Sequence, residues 1–88
     1  MNPEFQKKRF GILLRRLYAH NAVGGNCHIV TDDGNIEDEF INWCLEQINT
    51  APYWHPKNKK MLQVEREILQ ILLTIPENQR EQYIEDAR

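Results

Sequence analysis

Apolar side chains recur along this chain in four stretches, each at helical spacing. Phe10, Leu13, Leu14 and Leu17 line one face of a first helix, while Lys8, Arg9, Ile12, Arg15 and Arg16 project to the other side. Asn2 is placed to cap that helix, with Pro3 at its first position, where a missing N–H costs nothing. Gly11 lowers its helical propensity by about 1 kcal/mol relative to alanine and leaves room for a neighbouring backbone. The Gly24-Gly25 pair predicts that the helix stops near His20-Asn21.

A second stripe, Ile36, Phe40, Trp43, Cys44, Gln47 and Ile48, predicts a helix capped by Asn35 and ended before Pro52. A third, Met61, Val64, Ile68, Ile71, Leu72 and Ile75, is widened by Leu62, Leu69 and Leu73. It predicts a core helix from about Lys57 to Leu73. Thr74, Pro76 and Glu77 then resemble the start of a short helix over about 76–86, in which only Tyr83 and Ile84 are suited to packing. Between the first two helices, Cys27-His28-Ile29-Val30-Thr31 is β-prone but short, and a lone strand lacks a partner. An ordered extended loop, or one short strand, is expected there, followed by a turn at Asp32-Asp33-Gly34-Asn35. The expected fold is all-α: one compact domain over residues 1–88, with three main helices and a short C-terminal fourth.

Composition agrees with a soluble globule. Of 88 residues, 41% are hydrophobic and 27% charged, too apolar for disorder and too mixed for a membrane protein. No apolar run is long enough to cross a bilayer, and Met1-Asn2-Pro3-Glu4 does not resemble a secretory signal. Cys27 and Cys44 are not spaced as a redox or zinc pair, and Cys44 falls on an apolar face, so a reducing cytoplasmic setting is expected.

Charge alters the picture by its distribution. The formal total is −2. Residues 1–20 carry Lys7, Lys8, Arg9, Arg15 and Arg16 against Glu4 alone, whereas residues 21–50 carry Asp32, Asp33, Glu37, Asp38, Glu39 and Glu46 with no base. Lys57, Lys59 and Lys60 then make residues 51–62 basic again. The acidic total and the lack of a helix-turn-helix pattern disfavour nucleic acid as the partner, although the basic side of the first helix leaves a DNA-associated regulator as a third reading.

Polar chemistry concentrates between His28 and Asp38. Three uses compete for His28, Asp32, Asp33, Asn35, Glu37 and Asp38. The simplest is structural, with the aspartates satisfying turn N–H groups and Asn35 and the acids stabilising the start of the second helix. The second is a recognition loop whose acidic rim suits a basic protein patch or cationic ligand. The third is a small-ligand or divalent-cation site, although the spacing is not that of an EF-hand loop. Zinc held by Cys27, His28, Cys44 and His55 is weaker still, so neither metal nor cofactor is assigned. Catalysis has little support: His28 and Asp32 could form an acid–base pair, but there is no serine in the chain and Gly24-Gly25 is not a phosphate loop. Tyr53, Trp54 and His55, flanked by Pro52 and Pro56, form a secondary contact patch; closing the end of the core is the simpler use of Trp54 or Tyr53.

The run Tyr18-Ala19-His20-Asn21-Ala22-Val23-Gly24-Gly25, then His28-Ile29-Val30 and Asp32-Asp33-Gly34-Asn35-Ile36-Glu37-Asp38, resembles a group of small uncharacterised phage and prophage proteins. The later Cys44 and the stretch Leu72 to Arg80 extend the likeness over roughly residues 13–83, although Thr31 stands where an apolar residue is more usual. The resemblance brings no activity with it. It implies origin and context, a small phage-type protein acting inside a bacterial cell. With the small size, the lack of a catalytic set and the segregated charge, a non-catalytic accessory protein that binds a host or phage protein and perturbs host physiology or defence is expected. A homo-oligomer is compatible with the sequence.

Overall fold

Residues 2–22 and 36–88 are described by a computed structural model. Four helices occur among them: α1 (Pro3–Ala22), α2 (Asp38–Thr50), α3 (Gln63–Leu73) and α4 (Arg80–Ala87), the last entered through a single 3-10 turn over Glu77–Gln79. No strand occurs among the described residues. The β-prone segment Cys27–Thr31 lies outside them. The radius of gyration is 12.4 Å, close to the ~12 Å of a compact chain of this length.

The start of α1 follows from its first residues. Asn2 Oδ1 accepts the Glu4 N–H at 2.8 Å, and the Asn2 carbonyl accepts the Gln6 N–H at 3.0 Å. Phe10, Leu13, Leu14 and Leu17 are fully buried, as their spacing predicts. They share one cluster with Ile36, Phe40, Ile41 and Cys44 from α2 and its approach, Ile68, Leu69 and Leu72 from α3, and Ile84 from α4. α3 and α4 both pack on α1, and α4 also touches α2.

Gly11 sits where α4 ends. A Cβ added there would lie 2.8 Å from the Ala87 carbonyl oxygen, so only glycine permits this approach of helix to backbone. Arg15 occupies the same junction. Its guanidinium donates to the carbonyl oxygens of Gly11 (3.1 Å), Ala87 (3.5 Å) and Arg88 (2.6 Å), covering acceptors that a helix C-terminus leaves open. It is therefore half-buried at α4, although its spacing assigned it to the outer face.

Three boundaries differ from the sequence expectation. α2 begins at Asp38 with Glu37 as its N-cap, not at Asn35. Ile36 is the reason: it is buried in extended chain just ahead of the helix, and Ile41 is buried one turn inside, the positions of a hydrophobic staple. α3 begins at Gln63, six residues later than predicted. Asn58 accounts for the delay. Its amide donates to the Tyr53 carbonyl at 2.6 Å and its Oδ1 accepts the Lys60 N–H at 3.0 Å, turn bonds that compete with a helix. Leu62 is the N-cap of α3, and Glu65 accepts its N–H at 3.2 Å; leucine has no acceptor to return the bond. Finally, Thr74 closes α3 instead of starting the next helix. Its hydroxyl donates to the Ile71 carbonyl at 2.6 Å, and Pro76 precedes the 3-10 turn without a side-chain cap. Leu62 and Leu73, expected to widen the core face, are exposed.

Candidate functional site

The acidic elbow predicted before α2 is described only from Ile36 onward. His28, Asp32, Asp33 and Asn35 lie outside the described residues, as does Cys27. Glu37 and Asp38 lie within them, both exposed at the start of α2. The Glu37 backbone is extended (φ −70°, ψ 146°), and its carbonyl accepts the N–H groups of Phe40 (3.0 Å) and Ile41 (3.3 Å), while its carboxylate makes no capping bond. Asp38 Oδ1 accepts Arg88 Nη1 at 2.6 Å, and Glu85 stands 3.4 Å from the same guanidinium. Its bond to Asp38 holds the Arg88 guanidinium more firmly in its charged form. Ile36, Glu37, Asp38 and Arg88 line an open hollow of about 290 Å³.

The rest of the acidic run continues along the solvent side of α2. Glu39, Asn42, Glu46 and Asn49 are exposed there, at helical spacing. Asp38 is paired with Arg88; no ion pair engages Glu37, Glu39 or Glu46 among the described residues. Carboxylates near the first turn of a helix are favoured by its dipole, so part of this charge is accounted for by α2 itself. Glu46, further along, is not explained that way.

The aromatic connection divides. Trp54 is 5% exposed and belongs to the core, the simpler of the two uses its sequence allows, and so drops out of the secondary contact patch. Its ring meets Trp43 edge-on at 5.4 Å, Trp43 stacks on Phe40 at 5.6 Å, and Phe40 meets Tyr18 at 5.2 Å. Such offset and edge contacts are the favourable ones for aromatic rings, and they compensate the cost of the Trp54 indole N–H, which is buried without a hydrogen-bond partner among the described residues. Tyr53 remains 44% exposed and His55 exposed. His55 Nδ1 accepts the Lys57 N–H at 3.2 Å, so the neutral ring carries its proton on Nε2, the nitrogen left free for a partner. Asn58 and Arg66 brace this connection; Arg66 Nη2 donates to the Asn58 carbonyl at 2.6 Å.

Cys44 is fully enclosed, as its place on an apolar face predicts. Burial, aided by the nearby Glu65 carboxylate, pushes its thiol from 9.0 up to about 12. A thiol in that state is a poor nucleophile and a poor metal ligand at neutral pH. Among the described residues no three His, Cys, Asp or Glu side chains gather closely enough to hold a metal ion. The features that spacing alone did not reveal are Glu65, buried at the start of α3, and the exposure of Phe5 (59%) on α1; Ile12 (52%) is outside, as its spacing predicts.

No family model, no curated protein and no solved structure matches the chain. No helix among the described residues is long and apolar enough to cross a membrane.

Proposed function

We propose that the chain is a small non-catalytic accessory protein of phage type that binds a host or phage protein in the bacterial cytoplasm, where it alters host physiology or defence. The observation that carries the reading is that Glu37 at the N-cap and Glu39 and Glu46 on the exposed side of α2 enter no ion pair among the described residues, and that they follow Asp32 and Asp33 in a stretch of sequence without a base. The helix dipole accounts for acids in the first turn only. Glu46 lies beyond it, on a helix whose other face is sealed into the core, and an exposed acidic side of this kind suits a basic patch on another protein. The phage resemblance supplies the cellular setting.

Affinity capture from bacterial lysates tests this reading. A stoichiometric partner should be retained by the natural sequence and lost, with the fold intact, on Glu39→Lys together with Glu46→Lys. Repeating the capture with His28→Ala and Asp33→Ala asks whether the preceding loop belongs to the same surface. Failure to retain a partner from several hosts would count against a binding role. A change in melting temperature on adding Mg²⁺, Ca²⁺ or a nucleotide, abolished by Asp32→Asn or Asp33→Asn, would favour the small-ligand alternative.

A further inference from the structure

Among the described residues, the exposed large apolar side chains are not scattered. Phe5 and Ile12 stand on α1 among Lys8, Arg9 and Arg16, and Tyr53 and Leu62 bracket Lys57, Lys59 and Lys60. Leu73 is the exception. The acidic outer side of α2, by contrast, shows Glu39, Asn42, Glu46 and Asn49 and no large apolar residue. Exposed grease thus travels with positive charge.

The α1 stripe is the more regular of the two. Phe5 lies three and four residues from Lys8 and Arg9, and Ile12 lies three or four from Lys8, Arg9 and Arg16, so the five share one side of the helix. Phe5 and Ile12 are a heptad apart, about 10.5 Å along the axis, and Lys8 and Arg16 flank Ile12 about one turn away on either side. Phe5 and Ile12 are the two most exposed large apolar side chains described, at 59% and 52%. Arg9 pairs with Glu67 at 3.0 Å; neither Lys8 nor Arg16 takes part in an ion pair among the described residues.

From this arrangement we propose that the outer face of α1 is a docking surface for an acidic amphipathic helix of another protein, one that presents apolar residues a heptad apart between carboxylates. Charge decides among the occupants. Two copies of this chain meeting face to face through α1 would oppose Lys8, Arg9 and Arg16 with their own equivalents, which costs free energy. A second copy offering α2 would bring carboxylates but only Asn42 and Asn49 against Phe5 and Ile12. Duplex DNA would place phosphates, and no apolar surface, over Ile12 at the centre of the stripe. A bilayer would receive two apolar side chains, less than stable anchoring requires. The surface is distinct from the acidic line on α2, so it stands or falls separately from the proposed function.

The probe is a synthetic acidic helix with two leucines a heptad apart, flanked by glutamates, titrated into the full chain and followed by fluorescence anisotropy. It should bind, weaken as salt rises, and lose about tenfold or more in affinity on Lys8→Glu with Arg16→Glu. Ile12→Asp should cost about tenfold as well. Circular dichroism of each variant checks that α1 is kept, and Ile12→Ala serves where Ile12→Asp disturbs the fold. Glu39→Gln with Glu46→Gln should leave the affinity unchanged within about twofold. Absence of binding, equal binding of a peptide with lysine for glutamate, or tighter binding of phosphatidylglycerol vesicles or duplex DNA than of the acidic helix would each overturn the proposal.

Discussion

Cys44 makes the stability of this protein sensitive to alkali. Its thiol ionises near 9.0 in the unfolded chain and is raised to about 12 in the folded one, first by burial and then by Glu65. Between those values the folded state holds a proton that the unfolded state has released, so stability is lost as pH rises through the window. The loss is at most ~1.4 kcal/mol per pH unit. Urea unfolding at about pH 8 and about pH 10.5 should show a smaller decline for Cys44→Ala than for the natural sequence, and equal declines would refute the assignment. Gly11 offers a second test at a single atom. Alanine there gains about 1 kcal/mol of helical propensity. Against this, its Cβ meets a backbone oxygen at 2.8 Å, an overpacking of about 1–3 kcal/mol. Gly11→Ala should therefore lower thermal stability modestly and speed amide exchange in α4 more than in α2; a stabilised variant would show that α4 yields freely. That Gly11 permits a close approach was legible in the sequence. Arg15 capping the end of α4 was not, because its three acceptors come from opposite ends of the chain.

Helix faces and most helix ends were read well; the starts of α2, α3 and α4 were not. The fully buried residues of α1 are those its periodicity names, and Ile84, half of the expected pair in α4, is completely buried while Tyr83 packs at 5.0 Å on Phe10. A repeat of three and four reports a face directly. A start depends on how the chain enters it: buried Ile36 holds the approach to α2 extended, Asn58 ties the approach to α3 into turns, and Thr74 bonds back to Ile71 before α4. The candidate site was legible in part: the acids at the start of α2 are exposed, and of the two aromatics offered for closing the core it is Trp54, edge-on to Trp43, that does so, while Tyr53 stays outside. α4 shows how an element with one fully buried side chain is held. Arg80 Nε donates to the carbonyls of Leu72 (2.9 Å) and Ile75 (3.0 Å), so the start of α4 closes the end of α3. Arg80→Met should cost about 1–3 kcal/mol by leaving those acceptors without their charged donor. Ile84→Ala should cost about 2–5 kcal/mol by opening a cavity against α1. Equilibrium unfolding measures both. If Ile84→Ala proved the milder change, polar closure and not apolar packing would be what retains α4.

At the scale of the whole molecule, charge and packing do different jobs. Fourteen buried residues from all four helices and their connections form one cluster, whereas each of the four ion pairs among the described residues involves at least one carboxylate or base that is well exposed to water. Two of those pairs share Arg88 and are not independent. Exposed pairs contribute about 0–1 kcal/mol each, while burial of each large apolar side chain contributes about 1.5–3 kcal/mol. The fold should accordingly tolerate screening. Raising NaCl from about 0.1 M to about 1 M shortens the Debye length from ~10 Å to ~3 Å. The melting temperature should then fall by no more than about 10 °C, since ~1 kcal/mol shifts it by roughly 4–8 °C in a domain of this size. A fall twice as large would mean that the Arg88, Asp38 and Glu85 cluster, and not the core, joins α4 to α2. A small fall leaves the segregated charge of α1 and α2 with little structural purpose, since it is not needed to hold the helices together. Surface charge that the fold does not require, kept in separate stripes of opposite sign, is then best accounted for by what each stripe meets outside the molecule.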